Sequence, residues 1–101
     1  MGFELQYNFE WDPKKAKTNR KKHKVSFEHA SAIFKDPKAI SIYDKEHSHK
    51  EDRWVTMGLA SDGSLLVVHH TYEQIDEDTV IIRVISSRKA TKNEKRKYTE
   101  L

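Results

Sequence analysis

The sequence of 101 residues has no cysteine, three glycines and two prolines. The lack of cysteine excludes disulfides and thiolate chemistry, which suits a reducing cytoplasm. Three scattered glycines exclude a glycine-rich phosphate loop. No apolar run approaches the length of about 18 residues that a membrane span needs, and the first six residues carry no apolar signal region. We therefore expect a cytoplasmic protein with no membrane contact.

Apolar and charged residues are nearly balanced, at 36% and 35% of the chain. A chain of this length and composition predicts one domain, residues 1–101, with a small core and much polar surface.

The net charge is only +3, but the basic residues are concentrated in two segments. Residues 14–24 contain seven Lys or Arg and no acid, and residues 83–97 contain seven more against the single acid Glu94. Two basic ends around an acidic middle favour a surface that meets a polyanion or an acidic partner. Two ordinary solvated helix faces would give the same composition.

The most β-prone stretch begins at Thr79, where five β-branched residues surround a single arginine. Strand alternation places Arg83 on the face of Ile81 and Ile85. We expect the strand to leave through residues 86–89 into a short basic helix. A guanidinium on a rigid strand is suited to gripping phosphate, whereas the alternative is an arginine at the wet rim of an ordinary sheet.

The rest of the chain gives clear local signals. Residues 3–11 alternate strictly and predict a strand with one buried face. Asp12-Pro13 opens a helix to about His23 that has almost no apolar residues and must be held by tertiary contacts. Ser26 caps a second helix that Asp36-Pro37 ends.

Further strands are predicted at 39–43, 53–59 and 65–71, with a hairpin turn at 61–64 and an acidic connection at 73–78. The polar stretch 44–52 has no assignable structure, and Thr91 with Glu94 forms a capping box for a last helix over 92–98. The order β-α-α-β-β-β-β-α predicts the α+β class. We expect an antiparallel sheet of about four to five strands with two N-terminal helices and a C-terminal helix.

No metal site with specific spacing is present. His47 and His49 lie among acids in the polar stretch, but flexible runs of this kind rarely hold an ion. We therefore predict no metal and no cofactor.

Charged groups recur instead near the ends of the predicted strands. Metal-free RNA cleavage uses a set of charged groups of this kind. Such cleavage needs a base for the ribose 2′-OH, cations for the phosphorane and an acid for the leaving oxygen. Glu51, Asp52 or a histidine is a candidate base. Alternation forbids His69 and His70 from facing the same way, so we expect one to lie in the core and donate to backbone.

Several motifs resemble the BrnT family of toxins from bacterial type II toxin–antitoxin systems. They run in order along nearly the whole chain: Phe9-Glu-Trp-Asp-Pro13, Asn19, Lys22-His23-Lys24-Val-Ser-Phe-Glu28, His47-Ser48, Glu51-Asp52-Arg53, Met57-Gly58 and Ile82-Arg83-Val-Ile-Ser-Ser-Arg-Lys-Ala90. The resemblance implies a RelE-like fold and ribonuclease activity that blocks translation. It also implies neutralisation by a BrnA-like antitoxin in a two-plus-two complex, in which the antitoxin contacts operator DNA.

By position, the resemblance implies that the catalytic residues are Glu51, Asp52, Arg53, Arg83 and Arg88. We expect RNA to be bound by Lys89, Lys92 and Tyr98. The family usually has Glu where Asp52 stands, which leaves the choice between Glu51 and Asp52 open.

The leading hypothesis is a metal-independent endoribonuclease toxin. The alternative is a non-catalytic basic module that binds nucleic acid or an antitoxin, favoured by the basic helix over residues 14–24. No predicted helix carries Asn, Gln or Arg at the spacing that reads bases, which argues against sequence-specific DNA binding.

Overall fold

The computed structural model describes residues 5–100. Six strands and three helices follow in chain order, with two short 3-10 turns at Ala32–Lys35 and Lys45–His47. They are β1 (Gln6–Glu10), α1 (Pro13–His23), α2 (Phe27–Ser31), β2 (Ile40–Tyr43), β3 (Trp54–Leu59), β4 (Leu65–His70), β5 (Glu73–Gln74), β6 (Thr79–Lys89) and α3 (Lys92–Thr99).

All six strands form one sheet in the order β1-β6-β4-β3-β2, with β5 also paired to β6. The prediction of an α+β fold with an antiparallel meander is confirmed, since β2, β3, β4 and β6 pair antiparallel. Two details differ from expectation: β1 runs parallel to β6, and the acidic connection contains the two-residue strand β5. No helix within residues 5–100 is long and apolar enough to cross a membrane.

The helices begin where the sequence predicts, because their caps are local. The Asp12 side chain accepts from the Lys14 backbone N–H at 2.8 Å, and Ser26 accepts from that of His29 at 3.1 Å. Thr91 and Glu94 form the predicted capping box. The predicted strand over 3–11 is observed as β1, while its residues 3 and 4 lie outside the described part of the chain.

Strand alternation divides the core into two layers. On one face of the sheet, Leu66 and Val68 of β4 join Phe27 of α2 and Ile82 of β6 in the main cluster. On the other face, Leu65 and Val67 form a smaller cluster with Ala90, against which Tyr98 of α3 packs. The N-terminal helices and α3 therefore cover opposite faces.

The prediction that the chain leaves the strand through residues 86–89 is wrong, because β6 continues to Lys89 through a β-bulge. His70 pairs with Val84 and His69 pairs with Ser86, which leaves Ile85 without a partner on β4. The extra residue reverses the alternation. Arg83 and Arg88, which strict alternation would place on opposite faces, consequently lie on the same face.

α1 is attached to the sheet by a buried amide rather than by apolar residues. Asn19 is 7% exposed. Its Oδ1 accepts from the Ser87 backbone N–H at 3.1 Å, and its Nδ2 donates to the Ser87 carbonyl at 3.0 Å. The β1 ladder stops at Arg83, so the Asn19 amide takes the place of a further strand residue on that edge of β6. The predicted need for tertiary contacts is confirmed, although the contact itself is polar.

We expect Asn19→Ala to lower the free energy of unfolding by about 2–4 kcal/mol, because it leaves two buried backbone groups of Ser87 without partners. Urea unfolding followed by circular dichroism measures the loss. Lys21→Ala, an exposed position of the same helix, is the matched control and should change stability by no more than about 0.5 kcal/mol. Equal stability of the two variants would show that the amide does not hold the helix.

Candidate active site

Glu51 joins two of the predicted arginines. Its Oε1 accepts from Nη2 of Arg83 and lies 3.4 Å from both Nε and Nη2 of Arg53. Arg53 immediately precedes β3 and Arg83 lies in the middle of β6, so the loop carboxylate links the entry to one strand with the centre of another. The Arg83 hydrogen bond, with that from Arg53, holds the pKa of Glu51 below its usual value. Glu51 therefore remains ionised and is a weak base.

A pocket of about 270 Å³ lies beside this cluster. It is lined by Asp44, His47, Arg53, His69, Ile85 and Ser86. Ile85 and Ser86 line it because of the β-bulge, and His69 because it points away from the main core.

His70 lies on the opposite face of the sheet from His69 and is buried in the core. The sequence predicted that one of these two histidines would lie there. The His70 side chain is buried, with Nδ1 2.8 Å from the Thr71 carbonyl and Nε2 2.6 Å from Oγ1 of Thr56. The carbonyl can only accept, so Nδ1 donates and Nε2 accepts from the threonine hydroxyl. Burial lowers the pKa of His70, which fits a neutral structural imidazole.

The loop before β3 positions the remaining groups of the pocket. Asp44 caps the 3-10 turn that follows it, and its Oδ2 lies 2.9 Å from Nδ1 of His47 and 3.9 Å from Nδ1 of His69. The Ser48 hydroxyl accepts from the Arg53 backbone N–H at 2.9 Å and closes the loop. The stretch for which the sequence predicted no structure is therefore ordered around the pocket.

Arg88 lies further along the same face of β6 and forms a two-point ion pair with Glu94 of α3. The distances are 2.7 Å from Nη1 to Oε1 and 3.0 Å from Nη2 to Oε2. The hydrogen bond from Arg88 lowers the pKa of Glu94 to about 2. The cation also acts on His69, whose pKa is lowered by burial first and then by Arg88.

The structure brings together Glu51, Arg53 and Arg83, with Arg88 on the same face. The other predicted residues lie elsewhere. Asp52 accepts a hydrogen bond from the Tyr43 hydroxyl at 2.8 Å. The Tyr98 hydroxyl donates to Asp36 at 2.6 Å, and this second bond lies near the hairpin end of β3 and β4. Lys89 and Lys92 are exposed at the end of β6 and the start of α3.

A second pocket of about 330 Å³ lies between the basic helix and β6. It is lined by Lys14, Lys15, Thr18, Asn19, Lys22, His23, Ile85 and Ser86. Ile85 and Ser86 border both pockets, so the cationic groove along α1 lies next to the pocket that contains His69. The charge run at 14–24 marked this surface in the sequence. Nothing in the sequence marked His69 as a neighbour of Asp44 and His47. Among residues 5–100, no group of three or more His, Cys, Asp or Glu is arranged to hold a metal ion.

A family model and a solved structure match this chain. The model of the ribonuclease toxin BrnT of type II toxin–antitoxin systems matches residues 11–94. The 1.1 Å crystal structure of the Brucella abortus ribonuclease toxin BrnT superposes with a TM-score of 0.57 and 22% identity, covering 86% of this chain and 100% of that chain. At this identity the superposition shows a shared fold. No curated protein matches the sequence.

The Arg88–Glu94 pair predicts a pH-dependent stability. Because the pKa of Glu94 falls from 4.5 to about 2 on folding, its contribution is present above pH 4.5 and is lost as the pH falls toward 2. We expect Glu94→Gln to cost about 1–2 kcal/mol at neutral pH through the ion pair and the capping box, and the difference from wild type to vanish near pH 2. Urea unfolding across this range measures it. Glu46→Gln, at an exposed position, should show no comparable difference at any pH.

Proposed function

The chain belongs to the BrnT family of ribonuclease toxins of type II toxin–antitoxin systems, and from this premise we propose that it is a metal-independent endoribonuclease. In this proposal it cleaves RNA through the ribose 2′-OH, inhibits translation and is neutralised by a BrnA-like antitoxin. The observation that carries the proposal is the cluster of Arg53 and Arg83 on Glu51, beside a pocket large enough for part of a nucleotide.

The two arginines bind the scissile phosphate and stabilise the charge that develops on it. Their side chains are 33% and 43% exposed, so each guanidinium retains donors that reach solvent. Glu51 fixes their planes before the RNA arrives, which is the preorganisation that favours a charged transition state. Arg88, fixed by Glu94, supplies a third cation along the strand.

The base is better supplied by a histidine than by a carboxylate. Glu51 is held ionised by two guanidinium groups and has a lowered pKa. Asp52 is bound to the Tyr43 hydroxyl outside the cluster. We therefore assign Glu51 the role of holding the arginines, and give Asp52 no part in proton transfer.

The RNA strand enters along the groove of α1, whose lysines contact its phosphates without reading sequence. Lys89 and Lys92 extend this basic surface past the end of β6. Tyr98, predicted to bind RNA, donates its hydroxyl to Asp36 and packs against the smaller core cluster, so we assign it to holding α3 on the sheet.

The antitoxin covers the same basic surface with an acidic segment, since charge complementarity both steers and selects such a partner. We propose a two-plus-two complex in which operator DNA is contacted only by the antitoxin. The toxin then acts in the cytoplasm, where its RNA substrates are.

We expect Arg83→Ala to lose about 10²–10³-fold in the rate of RNA cleavage, because it removes one cation from the transition state. Induction of wild type in a bacterial host should arrest growth and fragment RNA, while the variant should do neither at equal expression. Growth curves and mapping of RNA 5′ ends provide the measurement.

The matched control is Arg96→Ala, at an exposed position of α3 away from Glu51, which should retain toxicity. If wild type and Arg83→Ala both left growth and RNA intact, the enzyme proposal would be rejected. Salt-sensitive RNA binding without cleavage would then favour the non-catalytic module.

Metal independence gives a separate prediction. Cleavage of purified RNA should proceed at the same rate in excess EDTA, because the cations that stabilise the phosphorane are arginines. The products should carry 2′,3′-cyclic phosphate and 5′-hydroxyl ends, detectable by mass spectrometry. Loss of activity in EDTA that added Mg²⁺ restores would contradict the metal-free mechanism.

A further inference from the structure

Two histidines from distant parts of the chain share the pocket beside the arginine cluster. His47 comes from the 3-10 turn before β3, and His69 comes from β4 opposite the β-bulge. Nδ1 of each ring faces Asp44, at 2.9 Å for His47 and 3.9 Å for His69. Arg53 lines the same pocket and also contacts Glu51.

The environments of the two rings differ. The His47 side chain is 60% exposed, and its Nδ1 lies 2.9 Å from Oδ2 of Asp44, which orients the ring. The His69 side chain is 33% exposed and has no hydrogen-bond partner within residues 5–100. It is surrounded by Arg88 from β6, Glu94 from α3, and Asp44 and His47 from the loop. Burial and the Arg88 charge lower its pKa, which keeps it neutral.

We propose that His69 is the general base and His47 the general acid of RNA cleavage in this pocket. The inference rests on the proposed ribonuclease function and names its proton-transferring groups. The Asp44 carboxylate faces Nδ1 of both rings, so it favours a proton on each Nδ1 and leaves each Nε2 for the substrate.

The step balances without a metal or a co-reactant. Nε2 of His69 takes the proton of the ribose 2′-OH while the 2′-oxygen bonds to phosphorus. The bond from phosphorus to the 5′-oxygen breaks, and its electron pair leaves on that oxygen, which takes the Nε2 proton of the His47 imidazolium. His69 ends protonated and His47 neutral, and exchange with water restores both. Arg53 contacts the phosphate between them.

The Asp44–His47 contact also closes the loop, so a loss of activity alone would not separate chemistry from folding. The test therefore uses His69→Gln and His47→Gln, with His49→Gln as the control. His49 is exposed two positions beyond His47 and does not line the pocket.

We expect His69→Gln and His47→Gln each to lower kcat/KM for RNA by about 10²–10⁴-fold, and His49→Gln to match wild type. The wild-type pH profile of kcat/KM should be bell-shaped. His69→Gln should lose its acidic limb, since that limb reports deprotonation of the base. His47→Gln should lose its alkaline limb, since that limb reports protonation of the acid.

An RNA oligonucleotide with sulfur in place of the scissile 5′-oxygen separates the two roles. Sulfur leaves without protonation, so His47→Gln should cleave this substrate at close to the wild-type rate. His69→Gln should remain slow, because the 2′-OH must still be deprotonated. A purely structural role for His47 would leave both substrates equally slow in its variant and would overturn its assignment as the acid.

A measurement on the wild-type protein covers the case in which a variant does not fold. NMR titration of the histidine ring protons should give His69 a pKa equal to that of the acidic limb. A mismatch, or variants that keep the wild-type rate and pH profile, would overturn this inference and leave the ribonuclease function standing. Absence of RNA cleavage by wild type would instead overturn the proposed function, and this inference with it.

Discussion

One extra residue in the central strand decides where the site can be. Ile85 has no partner on β4, and the resulting bulge reverses the alternation of β6 at its midpoint. Arg83 and Arg88 consequently share a face, while Ser87 turns into the core. The same irregularity falls between His69 and His70 on the neighbouring strand, at the edge of the pocket.

The turn of Ser87 into the core explains how a helix almost without apolar residues is bound. The Asn19 amide pairs with both backbone groups of Ser87, as a strand neighbour would, and α1 lies along the edge of β6 that β1 leaves open. A polar attachment of this kind needs no apolar stripe. The cationic side chains of α1 can therefore remain at the surface, where they line the groove beside Ile85 and Ser86.

The cations of the site are arranged by their anions. Glu51 holds Arg53 and Arg83 together, and Glu94 holds Arg88 further along the same face of β6. Without these carboxylates, the like charges would repel and the long side chains would sample many rotamers. The pairing costs some of the cationic potential, but it fixes the donors before a phosphate arrives.

The sequence alone determined the features that depend on near neighbours. These include the caps at Asp12, Ser26 and Thr91, the meander of strands, the α+β class, and the requirement that only one of His69 and His70 enter the core. Only the tertiary structure decided the bulge at Ile85, the parallel pairing of β1 and the role of Asn19. It also decided that Glu51 meets Arg83 while Asp52 does not. The physical reason is distance along the chain: caps and alternation act over a few residues. Glu51 and Arg83 are 32 positions apart, and whether they meet depends on strand pairing and register across the whole sheet.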